Sequence, residues 1–471
     1  MNNYKKLVNN SLIFAVGNLG TKLIVFFLVP LYTYYLTKTE FGMVDLLTST
    51  LSFLMPIFSL CIFDSVLRFA MDNNYDKQAV LANSLVVTFI GFVLSFLIYP
   101  ILIYILPFDD FILYFYLLLF VQSINTILTQ YVRAIGMVKL FACSGLINAF
   151  ILLVCNIFLL MLFPMGIVGY LFSLVIANIF SSLFVIIGGK VQNDFNVKKI
   201  NIKLTKEMLL YSIPLIPNAL MWWIMGLSDR FIITYFLGLS ANGLYAVANK
   251  IPSILNIINS IFFQAWQMSA IEEVDSKDKS KFFSNVFNVF SIAMLVSTSL
   301  LLILLKIIMK FFVADNYFDA WQYVPFLLLG VVFSSFSGFL GTNYIAAKKT
   351  SGVFKTSVIG AIINIVANVI LIPIIGINGA SIGTMLSFAV IWLLRIKDTR
   401  EFVKVEINIK KMVFTLIALI VQIGLLYMNL AFECLFQIII FIIIILINQN
   451  EMKDIIIKIM GFLSKRKIQS K

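Results

Sequence analysis

Apolar runs of about 20 residues recur from one end of this 471-residue chain to the other. A run of that length is what a helix needs to cross the hydrocarbon layer of a bilayer. Fourteen such segments are expected, at 11–36, 42–64, 79–106, 111–132, 140–163, 166–189, 208–237, 244–270, 282–311, 321–346, 351–375, 377–395, 412–430 and 433–448. With 61% hydrophobic residues, 12% charged residues and a mean hydropathy of +1.02, the chain has too little polar surface to cover a soluble globule. No stretch reads as a separate soluble domain. The expected fold is an all-α polytopic membrane protein.

Cations are spread unevenly over the connectors. With a cytoplasmic N-terminus, 29 of the 35 Lys and Arg residues fall on inner connectors or the tail, whereas the outer connectors hold only Lys38, Lys306 and Lys310. That bias orients membrane helices and predicts both termini inside. It also accounts for the formal charge of +13 without a nucleic-acid partner. The basic start resembles a signal peptide, but Lys22 interrupts the apolar run and no small-residue cleavage motif follows, so 11–36 reads as the first retained helix.

The two halves repeat. Sliding the chain by 201 residues lays TYYLTKTEFG (33–42) over TYFLGLSANG (234–243), and further on LFPMGIVG (162–169) resembles LIPIIGING (371–379). An even number of helices in each copy gives both the same orientation, related by an axis along the membrane normal. The expected organisation is a six-helix lobe at 1–189, a basic cytoplasmic linker at 190–207 and a second six-helix lobe at 208–395. Helices 13 and 14 follow within 396–448, and a basic amphipathic tail at 449–471 lies along the inner surface. Two like-oriented bundles frame a cleft, which is the geometry of a transporter.

Several chemistries are disfavoured. Histidine is absent, which removes Ser-His-Asp and Cys-His catalysis and His-based metal sites. Cys61, Cys143, Cys155 and Cys434 lie in apolar segments without CxxC spacing, as small core residues do. LPFDDF (106–111) supplies two acids, on a connector too short to build an outer catalytic site. No enzymatic activity, resident cofactor or metal is expected.

What remains is a handful of charges at membrane depth. Lys22 in helix 1, Asp229 and Arg230 in helix 7 and Lys250 in helix 8 interrupt apolar runs, where a cation at the helix centre costs roughly 2.5–3.5 kcal/mol. Such groups face protein or water. Adjacent helical residues point in different directions, so Asp229 and Arg230 are each expected to need a separate partner, and the acids available to balance the cations are Asp45, Asp229 and Asp64. For Lys22, Arg230 and Lys250, interhelical ion pairing or snorkelling competes with contact to an anionic ligand. Asp229 and Asp64 are candidates for ion coupling, with a structural pair as the alternative for Asp229. Arg68 and Arg133 lie at inner helix ends, where snorkelling competes with a phosphate-contacting gate.

Amides such as Gln122, Asn125, Asn148, Asn156, Asn178, Asn364 and Asn368 punctuate helix interiors. Bonds between helices are their usual purpose, and as a group they also suit a sugar path. Trp222, Trp223 and Trp266 suit sugar stacking or a membrane interface. Pro214 and Pro217 predict a kink near the inner end of helix 7, and Pro30 and Pro56 predict bends in helices 1 and 2.

The stretches 10–46, 211–255 (YSIPLIPNALMWWIMGLSDRFIITYFLGLSANGLYAVANKIPSIL) and 367–384 (ANVILIPIIGINGASIGT) resemble the polysaccharide transporter family. These are the Wzx-type flippases of lipid-linked oligosaccharides, within the multidrug/oligosaccharidyl-lipid/polysaccharide superfamily. With the helix count, the resemblance runs over essentially the whole chain. It implies two lobes around a cationic cavity and alternating access. The implied cargo is an undecaprenyl-diphosphate-linked oligosaccharide, an O-antigen, capsule or related repeat unit, carried across the bacterial plasma (inner) membrane. H+ or Na+ is the implied coupling ion, and polysaccharide polymerase components are implied partners. On this resemblance Lys22, Arg230 and Lys250 are the candidates to replace the water around the diphosphate. Helix 1 carries Lys22 and no Asp or Glu, unlike the acidic first-helix site of related drug-extrusion transporters. The peptidoglycan-precursor flippases share the fourteen-helix count and typically have arginines in helix 1. Two other functions stay open, an ion-coupled exporter of a small amphiphile and a membrane glycosyltransferase or glycan polymerase.

Overall fold

The computed structural model describes residues 17, 19–273, 278–346, 350–428, 430, 432–449 and 451. Among them every regular element is helical. Eleven helices are long and apolar enough to cross a membrane, and the pair flanking residues 249–251 makes a twelfth if taken as one broken span. Two shorter apolar helices, Leu19–Tyr35 and Glu433–Ile447, complete the series. Each of the fourteen expected segments overlaps one of these helices, twelve of them at most long enough to span, and the protein is a multi-pass membrane protein. Apart from residues 449 and 451, the expected surface tail lies outside the described residues.

Packing divides the chain into a first compact unit, Met1–Ala246, and a second, Val247–Lys471. The first holds α1 (Leu19–Tyr35), α2 (Lys38–Phe58), α3 (Ile62–Ala70), α4 (Lys77–Ile105), α5 (Ile112–Ala134), α6 (Val138–Leu162) and α7 (Gly166–Gly189). It continues through α8 (Ile202–Leu227), α9 (Asp229–Leu237) and most of α10 (Leu239–Ala248). A capping box starts α2: the Thr37 hydroxyl accepts the Glu40 N–H, and the Glu40 carboxylate accepts the Thr37 N–H at 2.8 Å.

The prolines act where expected, though not all as gentle bends. In α8 the kink is a 3-10 turn over Ile213–Leu215. In helix 2, Pro56 is followed by a full break, with Leu60 and Cys61 both in the left-handed region at φ 51°, a conformation that costs non-glycine residues roughly 1–2 kcal/mol each. The break leaves the Phe58 carbonyl against Gly91 of α4, where an added Cβ would lie 1.8 Å from that oxygen. Only glycine admits this approach.

The expected linker is fastened rather than loose. Lys199 pairs with Asp76 at 2.7 Å, and the Tyr131 hydroxyl donates to Asp194 at 3.0 Å. Asn83 Oδ1 accepts from the Asn201 N–H at 3.0 Å and the Thr205 hydroxyl at 2.7 Å, and the Ser65 hydroxyl donates to the Met208 carbonyl at 2.6 Å. These bonds seat the start of α8 on α3 and α4. By packing, α8 and α9 therefore go with the N-terminal helices, and the boundary at residue 246 differs from the lobe boundary expected at 190–207.

The second unit contains α11 (Pro252–Glu273), α12 (Lys279–Phe312), α13 (Val324–Ala346), α14 (Thr350–Ile375), α15 (Ile377–Thr399), α16 (Ile409–Met428) and α17 (Glu433–Ile447). The connector between the segments expected at 282–311 and 321–346 includes most of a 3-10 helix, Asp315–Tyr323, that buries Tyr317 and Trp321. The hairpin of α16 and α17 docks on α12 through polar bonds. Lys306 pairs with Glu433 at 2.7 Å, Ser299 donates to Gln422 Oε1 at 2.7 Å, and Gln437 donates to the Gln422 carbonyl at 2.9 Å. Arg395, 2% exposed, ties α15 to α13 and α14 by donating to the Ser337 carbonyl at 2.8 Å, the Thr356 hydroxyl at 3.0 Å and the Ser357 hydroxyl at 3.2 Å. Trp266 donates to the Thr342 hydroxyl at 2.7 Å inside the aromatic core of this unit.

Candidate functional site

The first unit contains a buried charged cluster built on a helix break. Ser228 is a turn residue between α8 and α9, and its hydroxyl donates to the Ile224 carbonyl at 2.7 Å. Asp229 thus opens a new helix, where the exposed amide ends favour a carboxylate, and its Oδ1 accepts the Arg230 N–H at 3.0 Å. Arg230 Nη1 lies 2.8 Å from the same Oδ1 and donates to the Gly226 carbonyl at 2.9 Å. The expectation that these neighbours cannot neutralise each other is corrected: the long guanidinium folds back along the backbone, so that Nη1 reaches both Asp229 Oδ1 and the Gly226 carbonyl.

Each charge also reaches a second partner. Arg230 Nε lies 3.0 Å from Asp45 Oδ2 of α2, and the Tyr245 hydroxyl of α10 donates to Asp229 Oδ2. Asn242 donates to the Gly42 carbonyl at 2.9 Å and to Asp45 Oδ2 at 3.5 Å. Asp229 is 2% and Arg230 7% exposed. Two carboxylates share one guanidinium here, which commits Arg230 to an ion-pair network between α2 and α9. Asn242 and Tyr245 escaped the sequence analysis because nothing in their spacing marks them. The repeat signal nearby does, since α2 and α10 cross where Gly42 meets Gly243.

The other candidates separate into two groups. Lys22 is exposed on α1, and the adjacent Thr21 lines a pocket of about 270 Å³ between α1, α5, α6 and α7. Amides and hydroxyls, including Gln122, Asn125, Thr129, Asn148 and Asn178, share its walls with Phe141, Ala142 and two glycines. Asn125 bonds across to the Asn178 carbonyl at 3.1 Å and the Ser182 hydroxyl at 3.0 Å, the structural role usual for such amides. Gln122 and Asn148 are half-buried and line the pocket as well. Arg133 is half-buried with its guanidinium 5.5 Å from the ring centre of Phe141, another wall residue, and 3.4 Å from Gln130 Oε1. Neither cation is itself a wall residue: Lys22 follows the wall residue Thr21 in the chain, and Arg133 packs on the wall residue Phe141.

Asp64 and Arg68 sit one turn apart on α3, half-buried and exposed respectively. Lys250 belongs to the second unit, half-buried in the turn before α11. Trp223 is held in packing, donating to the Ser49 carbonyl at 2.9 Å with its ring 4.5 Å from that of Phe53.

Residues 7–267, more than half of the chain, match the family model described as polysaccharide biosynthesis protein. The chain belongs to that family. An uncharacterized membrane protein of Methanocaldococcus jannaschii is 27% identical to this chain over 243 residues, 47% of it. The match spans 46% of that relative, about half its length. Among solved structures, the lipid II flippase MurJ in an inward closed conformation superposes with a TM-score of 0.70 at 14% identity, covering 94% of this chain and 100% of that one. An inward-facing multidrug resistance MATE family transporter of the MOP superfamily gives 0.62 at 13% identity, covering 84% and 94%. The chain thus has the fold of these two structures, one described as a flippase and the other as a transporter.

Proposed function

We propose that the protein flips an undecaprenyl-diphosphate-linked oligosaccharide across a bacterial plasma membrane by alternating access, with both termini cytoplasmic. The observation that carries this reading is the amide-and-hydroxyl pocket of the first unit, beside Thr21–Lys22 and Arg133. Neutral donors and acceptors suit sugar hydroxyls, and the flanking cations suit the diphosphate. The pocket has room for a single sugar ring. Gln122 and Asn148 serve as sugar ligands, and Lys22 and Arg133 as diphosphate ligands. Arg68 guides the head group along α3, and Lys250 is a further ligand for its phosphates. Arg230 acts indirectly, by holding Asp45 and Asp229 in place. Asp229, with Tyr245 as its hydrogen-bond donor, is the site of proton coupling, and Asp64 is the second coupling carboxylate.

The test is transport in proteoliposomes loaded with a lipid-linked oligosaccharide and free of sugar nucleotide. Glycan should become accessible to a non-permeant probe on the opposite leaflet, and K22A and R133A should each slow this severely. N148L should slow glycan-bearing lipid more than polyprenyl diphosphate alone. Glycan appearing only when sugar nucleotide is added would assign synthesis instead. Equal transport of lipids with and without glycan would favour an exporter of small amphiphiles.

A further inference from the structure

The second unit holds a larger pocket, of about 520 Å³, that the proposed transport path does not use. One wall is Trp392, Leu393 and Ile396 of α15, and the other is Met412, Val413 and Leu416 of α16. Both walls are apolar and partly turned outward, with Leu393 57% and Val413 47% exposed. Such a cleft is open sideways to hydrocarbon.

One end of the cleft carries two cations, Arg400 and Lys404, and one acid, Glu406. Residues 403–408 run without helical structure past the ends of α15 and α16, pinned to α12 by three bonds. The Glu406 N–H donates to the Ser284 hydroxyl at 2.7 Å, Asn288 Nδ2 donates to the Glu406 carbonyl at 3.0 Å, and the Asn408 N–H donates to Asn288 Oδ1 at 3.3 Å. Arg400 and Lys404 stand exposed on this cap and line the pocket. Lys404 meets Glu406 at 3.6 Å, with side chains 68% and 74% exposed, a pair too wet to hold the lysine firmly. Among the described residues, Arg400 has no carboxylate within ion-pair distance.

We infer that this pocket binds one acyl chain of an anionic glycerophospholipid, its phosphate lying against Arg400 and Lys404. An apolar slot beneath a basic rim matches the two halves of such a lipid. The volume suits a single chain of ordinary length, whereas a polyprenyl chain of 55 carbons overfills it. The occupant is therefore a bilayer lipid and not the transported cargo. The pinned connector makes the site preformed, so little ordering accompanies binding.

Trp392 on the wall supplies the readout. Full-length protein in neutral detergent is titrated with brominated phosphatidylglycerol or brominated phosphatidylcholine, and the quenching attributable to Trp392 is taken as the difference from W392F. Half-saturation should need about tenfold less phosphatidylglycerol than phosphatidylcholine. R400A/K404A should remove that preference and R400K/K404R should keep it; both pairs change exposed side chains and should elute as the parent protein does. Equal quenching by the two lipids, no quenching by either, or a preference unchanged in R400A/K404A would overturn the assignment. None of these outcomes bears on whether glycan is flipped.

Discussion

Gly42 and Gly243 meet back to back at the start of α2 and α10. A Cβ on Gly42 would lie 2.0 Å from the Leu239 carbonyl oxygen, and one on Gly243 would lie 1.9 Å from the Lys38 carbonyl oxygen. The 201-residue offset that maps Gly42 onto Gly243 also maps Lys38 onto Leu239. The contact therefore maps onto itself under that offset, as a contact does at a two-fold interface.

That symmetry makes a quantitative prediction. Gly42→Ala and Gly243→Ala should each destabilise the protein by about 1–3 kcal/mol, because a backbone oxygen cannot move aside as a side-chain tip can. The two should shift thermal unfolding in detergent by similar amounts. A benign G243A beside a severe G42A would show that the approach is not symmetric.

The Arg230 network should behave as a buried ion cluster. Arg230→Ala leaves Asp45 and Asp229 without their shared cation and should cost about 3–5 kcal/mol. In a double-mutant cycle, D45L/R230M should be less damaging than R230M alone. Urea unfolding followed by tryptophan fluorescence measures all three, and additive losses would sink the pairing.

Arg395 is a different case, a buried guanidinium shared among a carbonyl and two hydroxyls on two neighbouring helices. Arg395→Lys keeps the charge but cannot span those acceptors, so a loss of about 2–4 kcal/mol is expected despite its conservative look. The nearby Gly341 should also resist enlargement, since a Cβ there would sit 2.8 Å from Arg395 Nη1. Thermal shifts of R395K and G341A compared with the parent protein test both.

The Lys199–Asp76 pair sets a pH dependence at the membrane surface. The hydrogen bond from Lys199 holds the Asp76 carboxylate below its ordinary range, helped by backbone N–H groups at the start of α4. A depressed folded-state value means that the stabilisation is complete above the unfolded value of about 3.9 and is lost as pH falls through the folded value. Both side chains are partly exposed, 38% and 48%, so the effect is at most about 1 kcal/mol and weakens in salt. Asp76→Asn should lower the unfolding midpoint slightly at pH 6 and not at all at the acid end, in paired urea titrations.

By itself the sequence determined the helices and roughly where each lies, because backbone groups in hydrocarbon must bond within their own segment and apolar length alone marks each crossing. It also marked the proline kink in α8 and the charges worth explaining. What it left open was who partners whom. Asp45 and Arg230 lie 185 positions apart in the chain, and only the crossing of α2 with the segment after Ser228 brings them to 3.0 Å. The same holds for the amides of α5, α6 and α7, whose helix faces look alike in sequence and become a pocket only when packing turns them toward one another. Tertiary structure decided these matters because a charge or an amide states a need for a partner, while distance and burial choose which partner meets it.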